Sequence, residues 1–470
     1  MSDNGPQEGA SYKLPSHPSL LSNDPLGLHD ADNPSFWDII TISVQRISSA
    51  PCILQLPDLI ANLVYSLFGD GRIELGFLKS WLADFESSVG RTQADSIICN
   101  ILASSLSLPV LFPSHEITHL GPHNPSVELS LAQIRALLAP QILCTTRPPR
   151  GNNWGCTLRS WYSDPQPMER AVRGYLEIAF RFFVGLDEEE PAKKTAYRYV
   201  CSPPIQGDSN TSHWRDCSAP LFQNLKIELV TADTVPFPHP EIHCMLVSSH
   251  KEPGFGPSCT QEEIVTAACP QLLPMGALLV QPPIPDHAVL IAGDVYPVST
   301  WFGQGRAARL QSFRATSASL PYVFLFLDAL ELDDFERTPT SCLPDLIPGN
   351  LIRELEKVYI GFSALSKLGV NHIVSPLWGS GAFGGDPLVK SLILSMAAAR
   401  AGVVITLMID EKRQISDGAD SSPKLVGEVL SEMKAALGAS RVGDAWVALN
   451  SGSPCFCDPF ELYSLLLERN

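Results

Sequence analysis

From Phe36 onward, apolar residues recur at the spacing of helix faces. Trp37, Ile39, Ile40, Ile42 and Val44 open the first apolar segment. Leu59 to Phe68, Leu78 to Phe85 and Ala94 to Leu106 each keep one apolar stripe, and each predicts a helix. Leu131 to Leu138 predicts another, with Ser130 placed to cap it. Met168 to Phe183, just after Pro167, predicts a longer amphipathic helix. The first half of the chain therefore reads as helical.

The pattern then changes. Residues 184–220 are acidic, then polar, and read as a linker or surface loops. Beyond them come short apolar runs bounded by Pro, Gly or Asp: Ile227 to Val230, Ile242 to Val247, Ala277 to Val280, Ala288 to Ile291, Val323 to Leu327 and Val403 to Met408. Several are rich in β-branched residues, as buried strands are. Helical stretches, notably Leu351 to Phe362 and Pro387 to Ala401, lie between them. Strands alternating with helices predict an α/β domain whose ligand binds at loops beyond strand ends. The expected division is a disordered tail over 1–34, a helical accessory domain over 35–215, and an α/β domain with C-terminal helices over 216–470. No internal repeat is visible.

Composition narrows the function classes. The chain has 470 residues, too many for one ordinary core, and is 45% hydrophobic and 18% charged, as soluble globular proteins are. A net charge of −17 argues against coating nucleic acid by non-specific electrostatics. A polyanionic ligand has to be recognised locally, at an end or in a pocket. The 12 cysteines follow no repeating framework, and Cys455-x-Cys457 is too short for the usual zinc spacing. They read as reduced thiols of an intracellular protein. The N-terminus has no charged-then-apolar signal region, and no apolar run reaches the length of a membrane span.

Two stretches carry candidate chemistry. Gly254 to Glu263 reads G-F-G-P-S-C-T-Q-E-E, a glycine-rich turn running into adjacent acids and then an apolar run from Ile264. Glycine lets backbone approach a ligand closely. Carboxylates one residue apart lie roughly 100° apart around a helix, so Glu262 and Glu263 cannot do the same job. Taken alone, such a triple is usually solvated surface. The second stretch, Trp378 to Asp386, reads W-G-S-G-A-F-G-G-D, between strand-like Ile373-Val374 and a helix from Pro387. Such a loop suits wrapping backbone N–H groups around phosphates, with Phe383 as an apolar wall. No Gly-Lys-Ser/Thr follows, so it is not a Walker loop; otherwise it is a tight strand-to-helix turn.

Together these stretches resemble the poly(ADP-ribose) glycohydrolase family. W-G-S-G-A-F-G-G-D with Leu388, Lys390, Leu392 and Ile393 resembles its glycine-rich loop and following helix, and Gln261-Glu262-Glu263-Ile264 its catalytic Q-E-E signature. Leu129 to Thr145, Arg353 to Phe362 and Val442-Gly443-Asp444 resemble further family segments in the same order. The resemblance covers roughly residues 35 to 455. It implies a macrodomain-like mixed sheet flanked by helices, preceded by a helical accessory domain. It also implies hydrolysis of the ribose–ribose O-glycosidic bond of poly(ADP-ribose) without a metal or other cofactor. By this resemblance Glu263 is the catalytic acid and Glu262 holds ribose hydroxyls. Gln261, Gly254 and Gly256 belong to the substrate turn. Gly379, Gly381, Ala382, Phe383 and Gly384 belong to the diphosphate loop, which runs on to Gly385. The implied partners are ADP-ribose, its polymer and proteins carrying it, with no sequence-specific nucleic acid and no membrane. A monomer in the nucleus or cytoplasm, in the DNA damage response, is expected, with mono-ADP-ribosylated protein a poor substrate.

The chain also departs from the family. An alignment shortened by about three residues puts Gly254-Phe255-Gly256 on the family's three glycines. It then puts Val247 and His250 on an Asp-x-x-Asn pair. An ungapped alignment puts Lys251-Glu252-Pro253 on the glycines instead. His250 can donate and accept hydrogen bonds and so substitute for the asparagine, or it is a surface residue. Trp301 or Phe302 falls where an adenine-stacking aromatic stands, Met408 where a phenylalanine does, Ser380 on a cysteine and Leu377 on an asparagine. Arg306, Arg309 and Arg314 are the nearest basic candidates to flank an anionic polymer. The alternatives are a macrodomain that binds ADP-ribose without cleaving it, and an α/β scaffold whose loop holds another phosphate compound.

Overall fold

The computed structural model describes residues 11–30, 33–69, 73–148, 155–184, 194–202, 212–313, 320–335, 343–415 and 423–450, with 460, 464 and 466. The chain divides into two compact units. The first is Met1–Arg198, Glu252–Pro283 and Ala292–Pro321; the second is Tyr199–Lys251, Ile284–Ile291 and Tyr322–Asn470.

The first unit is mainly helical. Strand β1 (Ser11–Lys13) pairs antiparallel with β2 (Glu116–Thr118), Tyr12 opposite Ile117. Leu14 and Leu20 are buried. Residues 11–30 are thus folded against the helices rather than a disordered tail, because a few apolar residues at wide spacing suffice to anchor an extended segment. Residues 1–10 lie outside the described residues.

A capping box of Ser35 and Asp38 starts α1 (Phe36–Ser48). Then follow α2 (Leu56–Phe68), α3 (Gly76–Val89), α4 (Arg91–Leu106) and α5 (Leu108–Leu111). Ser130, ending β3 (Ser126–Ser130), caps α6 (Leu131–Ile142) as its sequence predicts, with Gln133 closing the box. On α7 (Glu169–Arg181), Phe180 meets Trp81 of α3 at a centroid distance of 4.9 Å.

Two expectations are corrected. The presumed linker contains β4 (Lys194–Cys201), which pairs antiparallel with β3 from Ser126↔Arg198 to Ser130↔Lys194. Its Thr-Ala-Tyr-Arg-Tyr-Val run has strand chemistry, but the acidic and polar stretches on either side mask it. The strand expected over Ala277 to Val280 is largely a helical turn, Met275–Leu279, buried throughout. An apolar run buried on all sides has no period to tell strand from helix. Gly276 is required there, since a Cβ would stand 2.0 Å from the Pro253 carbonyl oxygen. The unit also holds α9 (Gln261–Ala268) and the antiparallel pair β9 (Ser299–Phe302) and β10 (Arg309–Phe313).

The second unit is α/β. Its sheet runs in the order β8 (Ala288–Val295), β11 (Tyr322–Asp328), β7 (Cys244–Ser249), β12 (His372–Ser375), β13 (Val404–Asp410), β5 (Leu225–Val230). The β11–β7, β7–β12, β12–β13 and β13–β5 pairs are parallel. Parallel strands need crossover helices. Here α10 (Pro348–Lys367) leads into β12, and α11 (Pro387–Ala401) joins β12 to β13. Leu246, Leu325, Ile373 and Ile405 of the sheet form one core with Leu355, Phe362, Leu392 and Met396 of the helices. A Cβ at Gly361 would stand 2.9 Å from Leu325 Cδ2, so α10 lies close against β11. The smaller elements are α8 (Ser212–Arg215), β6 (Pro236–Phe237), β14 (Gln414–Ile415), β15 (Lys424–Leu425), α12 (Val426–Ala436) and α13 (Val442–Asn450). The fold class is the one expected, α/β with a mixed sheet, flanking helices and a helical N-terminal region. Among the described residues no helix is long and apolar enough to cross a membrane.

Candidate active site

In the first unit, the site begins with a helix start. Thr260 is the N-cap of α9, and Glu263, three residues on, closes a capping box with it. Thr-x-x-Glu before an apolar residue is the sequence signature of that box, and it is legible in Thr260-Gln261-Glu262-Glu263. Oε2 of Glu263 accepts the Thr260 N–H at 3.1 Å, the Thr260 hydroxyl at 2.8 Å and the Ser258 hydroxyl. Glu263 is 1% exposed and Glu262 4% exposed. Neither is the solvated helix start that such a triple usually forms. Burial pushes the Glu263 carboxyl above its ordinary value, against the downward pull of hydrogen bonds from Thr260, Ser258 and Gly256. Glu262 faces elsewhere: its Oε1 accepts the backbone N–H of Gly254 at 3.0 Å.

The turn before these acids is held by aromatic residues. Trp161 donates its indole N–H to the Gly256 carbonyl at 2.8 Å and packs on Phe255, ring centroids 5.0 Å apart. Tyr175 donates its hydroxyl to the Ser258 carbonyl at 3.0 Å and lies 5.3 Å from both Trp161 and Trp301. Gly155, in the left-handed region, lets the backbone at Gly254 approach: a Cβ there would stand 2.9 Å from Gly254 Cα. Trp161 and Tyr175 were missed in the sequence, where lone aromatics far from the motif give no signal.

In the second unit, the loop Trp378 to Asp386 leaves the end of β12. Gly379 and Gly384 both have positive φ, 72° and 70°. Loop-internal bonds close it: Gly384 N–H to Gly381 O at 3.1 Å and Gly385 N–H to Gly379 O at 2.9 Å. The Gly379 N–H reaches Ser248 Oγ at the end of β7, and Trp378 ties to the Leu327 carbonyl of β11. At the tip, the backbone N–H groups of Gly381, Ala382 and Phe383 have no hydrogen-bond partner among the described residues, and Gly381 and Ala382 are exposed. Consecutive unpaired N–H groups on a glycine loop suit an oxyanion. Asp386 then caps α11 through Leu388 N–H and Val389 N–H.

Buried charges lie under the loop. Lys390 is 0% exposed; its ammonium pairs with Glu354, stands 3.2 Å from Asp345 Oδ1, and lies 5.1 Å from the Trp378 ring. Asp345 Oδ2 in turn accepts the Asp386 N–H at 3.0 Å. A second network joins Arg353 and Lys357 of α10 to Asp328 at the end of β11. Burial depresses the Lys357 ammonium despite Asp328, whereas for Arg353 the effect of burial is outweighed by Asp328 and Asp286.

The remaining predicted residues fall as follows. Gln261 opens α9 and is half-buried. Trp301 is 1% exposed, with its N–H spent on Ser299 Oγ at 3.0 Å; Phe302 beside it is half-buried. Val247 is buried in β7, and His250 just beyond it pairs with Glu331 at 3.0 Å. Met408 stands in β13, 8% exposed. Arg306 is exposed and Arg309 half-buried, while Arg314, Cys455 and Cys457 lie outside the described residues.

The first unit thus holds a buried acid pair after a glycine turn, and the second holds a phosphate-type loop in an α/β fold. Residues 245–417 match the family described as poly(ADP-ribose) glycohydrolase (PARG), macro domain fold. Over that stretch the chain is similar to the poly(ADP-ribose) glycohydrolase family. It is 32% identical over 155 residues to poly(ADP-ribose) glycohydrolase 1 of Caenorhabditis elegans, a match covering 30% of this chain and 19% of that protein. The chain therefore spans about a fifth of the length of this relative. It is also similar to crystal structures of poly(ADP-ribose) glycohydrolase from Deinococcus radiodurans in complex with ADP-ribose. One is 14% identical, with 46% of this chain and 88% of that one covered and a TM-score of 0.30. Another is 16% identical with the same coverage and a TM-score of 0.29. At these scores the structural likeness carries no argument of its own.

Proposed function

We propose that this protein hydrolyses the ribose–ribose O-glycosidic bonds of poly(ADP-ribose) and releases ADP-ribose. The observation that carries this reading is Glu263, a buried carboxyl with raised proton affinity, in the Q-E-E sequence of the matched region. Glycoside cleavage passes through an oxocarbenium-like state and needs an acid to protonate the departing oxygen. Protonated Glu263 gives its proton to the leaving ribose oxygen as the glycosidic C–O bond breaks. Its carboxylate then takes a proton from the water that adds to the cation, which restores the acid. Glu262, already fixed on Gly254, orients ribose hydroxyls. The unpaired N–H groups of Gly381, Ala382 and Phe383 bind the diphosphate.

The net charge of −17 supports removal of units from chain ends, since an anionic surface repels the polymer outside a pocket. Exposed Arg306 and half-buried Arg309 are the basic side chains proposed to guide an end. The proposed organisation is a helical accessory region before the macrodomain-type region.

A second reading is a module that binds ADP-ribose without cleaving it. It is favoured by Val247 and His250: the first is apolar and buried, the second engaged by Glu331. Incubation with automodified polymer separates the readings. Wild type should release ADP-ribose, and Glu263→Gln should abolish release while keeping ADP-ribose affinity. Binding without release by wild type would establish the second reading, and an equally active Glu263→Gln would remove Glu263 from the mechanism.

A further inference from the structure

We infer that Thr260 and Ser258 are positioning residues for Glu263: they fix Oε2 as an acceptor, so that the catalytic proton is carried on Oε1. The inference rests on the glycohydrolase reading for its catalytic half, and on geometry for the rest.

Three donors converge on one oxygen: the Thr260 N–H, the Thr260 hydroxyl and the Ser258 hydroxyl all reach Oε2. An oxygen that accepts three hydrogen bonds has no lone pair left for a proton, because a carboxylate oxygen offers about two lone-pair sites. The proton therefore resides on the other oxygen. The N-cap residue thus does more than start a helix. In an ordinary capping box the acid is an exposed carboxylate that completes the helix end. Here it is 1% exposed and stands in the Q-E-E sequence of the matched region.

The same bonds oppose burial. Hydrogen bonds to the charged form favour it, and desolvation disfavours it. Glu263 is held between the two, with burial the larger effect. The titratable groups facing it are few among the described residues. Tyr175 comes from α7, and Cys259 from the turn before α9. Burial raises both, so both are neutral near pH 7. Glu262 beside it is directed at the Gly254 N–H. With no titrating cation described against it, the hydroxyl donors are the adjustable part of its environment.

Two variants separate positioning from simple capping. Thr260→Val keeps the shape and the backbone N–H but loses the hydroxyl; Thr260→Ser keeps both. In Thr260→Val, the alkaline limb of the kcat/KM profile for ADP-ribose release should move up by about one pH unit, the effect of one lost bond to a charged group. Loss should fall mainly on kcat, and Thr260→Ser should restore the wild-type profile. A Thr260→Val profile that coincides with wild type overturns the inference. A second readout needs no activity. Destabilisation by Thr260→Val should be larger at pH 8 than at pH 5, because the lost hydroxyl bond favours the charged form of Glu263 and that form gains with rising pH. That difference should vanish in a Glu263→Gln background. Equal destabilisation at both pH values reduces Thr260 to a helix cap, whatever the activity. A wild type that releases no ADP-ribose instead sinks the glycohydrolase reading, and the pH-dependent unfolding still decides the positioning.

Discussion

Oε1 of Glu262 accepts the backbone N–H of Gly254 at 3.0 Å, eight residues back along the chain. This bond closes the glycine turn on the first turn of α9, so that one acid of the pair holds the turn that precedes the other. Both partners are buried. Removing the acceptor strands a buried donor, which costs about 1–3 kcal/mol. Glu262→Ala should therefore lower thermal stability by that order and reduce ADP-ribose affinity together. Glu262→Gln, which keeps an acceptor oxygen, should retain most of the stability. Equal unfolding temperatures for Glu262→Ala and wild type would show that the turn stands without this bond.

The neighbouring acid gives stability the opposite dependence on pH from a surface carboxylate. The folded state raises the Glu263 pKa above its ordinary 4.5. The folded protein therefore holds this proton more tightly than the unfolded chain, and the group's contribution is fully present below the unfolded value. It is lost as pH rises from about 4.5 through the folded value. Glu263→Gln never charges. Its stability relative to wild type should rise between pH 4 and pH 8, as read by thermal unfolding in matched buffers. A relative stability that falls over that range would mean the hydrogen bonds, not burial, dominate the site.

Under the phosphate-type loop, Lys390 is the counterpart of that buried acid. Its Cε packs beneath the loop so closely that a Cβ on Gly385 would stand 2.3 Å from it and 2.7 Å from Gly379 O. Replacing the lysine leaves Glu354 and Asp345 buried without their cation, and breaking a buried pair in this way costs about 3–5 kcal/mol. Lys390→Met should be strongly destabilised, and Lys390→Met with Glu354→Gln less so than the sum of the two single changes. Gly385→Ala should cost about 1–3 kcal/mol through overpacking and weaken ADP-ribose binding, measured by calorimetry. Unchanged affinity in a folded Gly385→Ala protein would separate the loop from the ligand.

How much of this was legible follows from the kind of signal each residue leaves. Helices such as α6 and α11 announce themselves through caps and apolar stripes, and the parallel strands through short β-branched runs. Strand β4 is hidden by the polar stretches around it, and Met275–Leu279 by an apolar run with no period. The acid pair and the Trp378 to Asp386 loop are contiguous motifs, so sequence carries them whole. Their supports are not contiguous. Trp161 and Tyr175 meet the turn from scattered positions, and Lys390 meets Glu354 across two helices. Such pairings are set by packing and leave no local pattern. Thr260 is the exception: its capping box was readable but became meaningful only once Glu263 was seen to be buried.

The neighbours Trp301 and Phe302 divide structure from recognition in a way that sequence alone left open. Trp301 is buried in the aromatic row with Tyr175, its ring pressed so close to α7 that a Cβ on Gly174 would stand 2.6 Å from it. A ring so enclosed has no face for a nucleobase. Trp301→Ala should cost about 3–5 kcal/mol, as large buried aromatics do. Phe302 alternates to the other side of β9 and is half-buried. It is the candidate to stack on adenine, where base stacking is worth about 1–3 kcal/mol. Phe302→Ala should therefore weaken ADP-ribose binding by roughly five- to a hundred-fold with little change in unfolding temperature. A Phe302→Ala protein that binds ADP-ribose as wild type does would remove β9 from the adenine site, and Met408 of β13 would become the next position to vary.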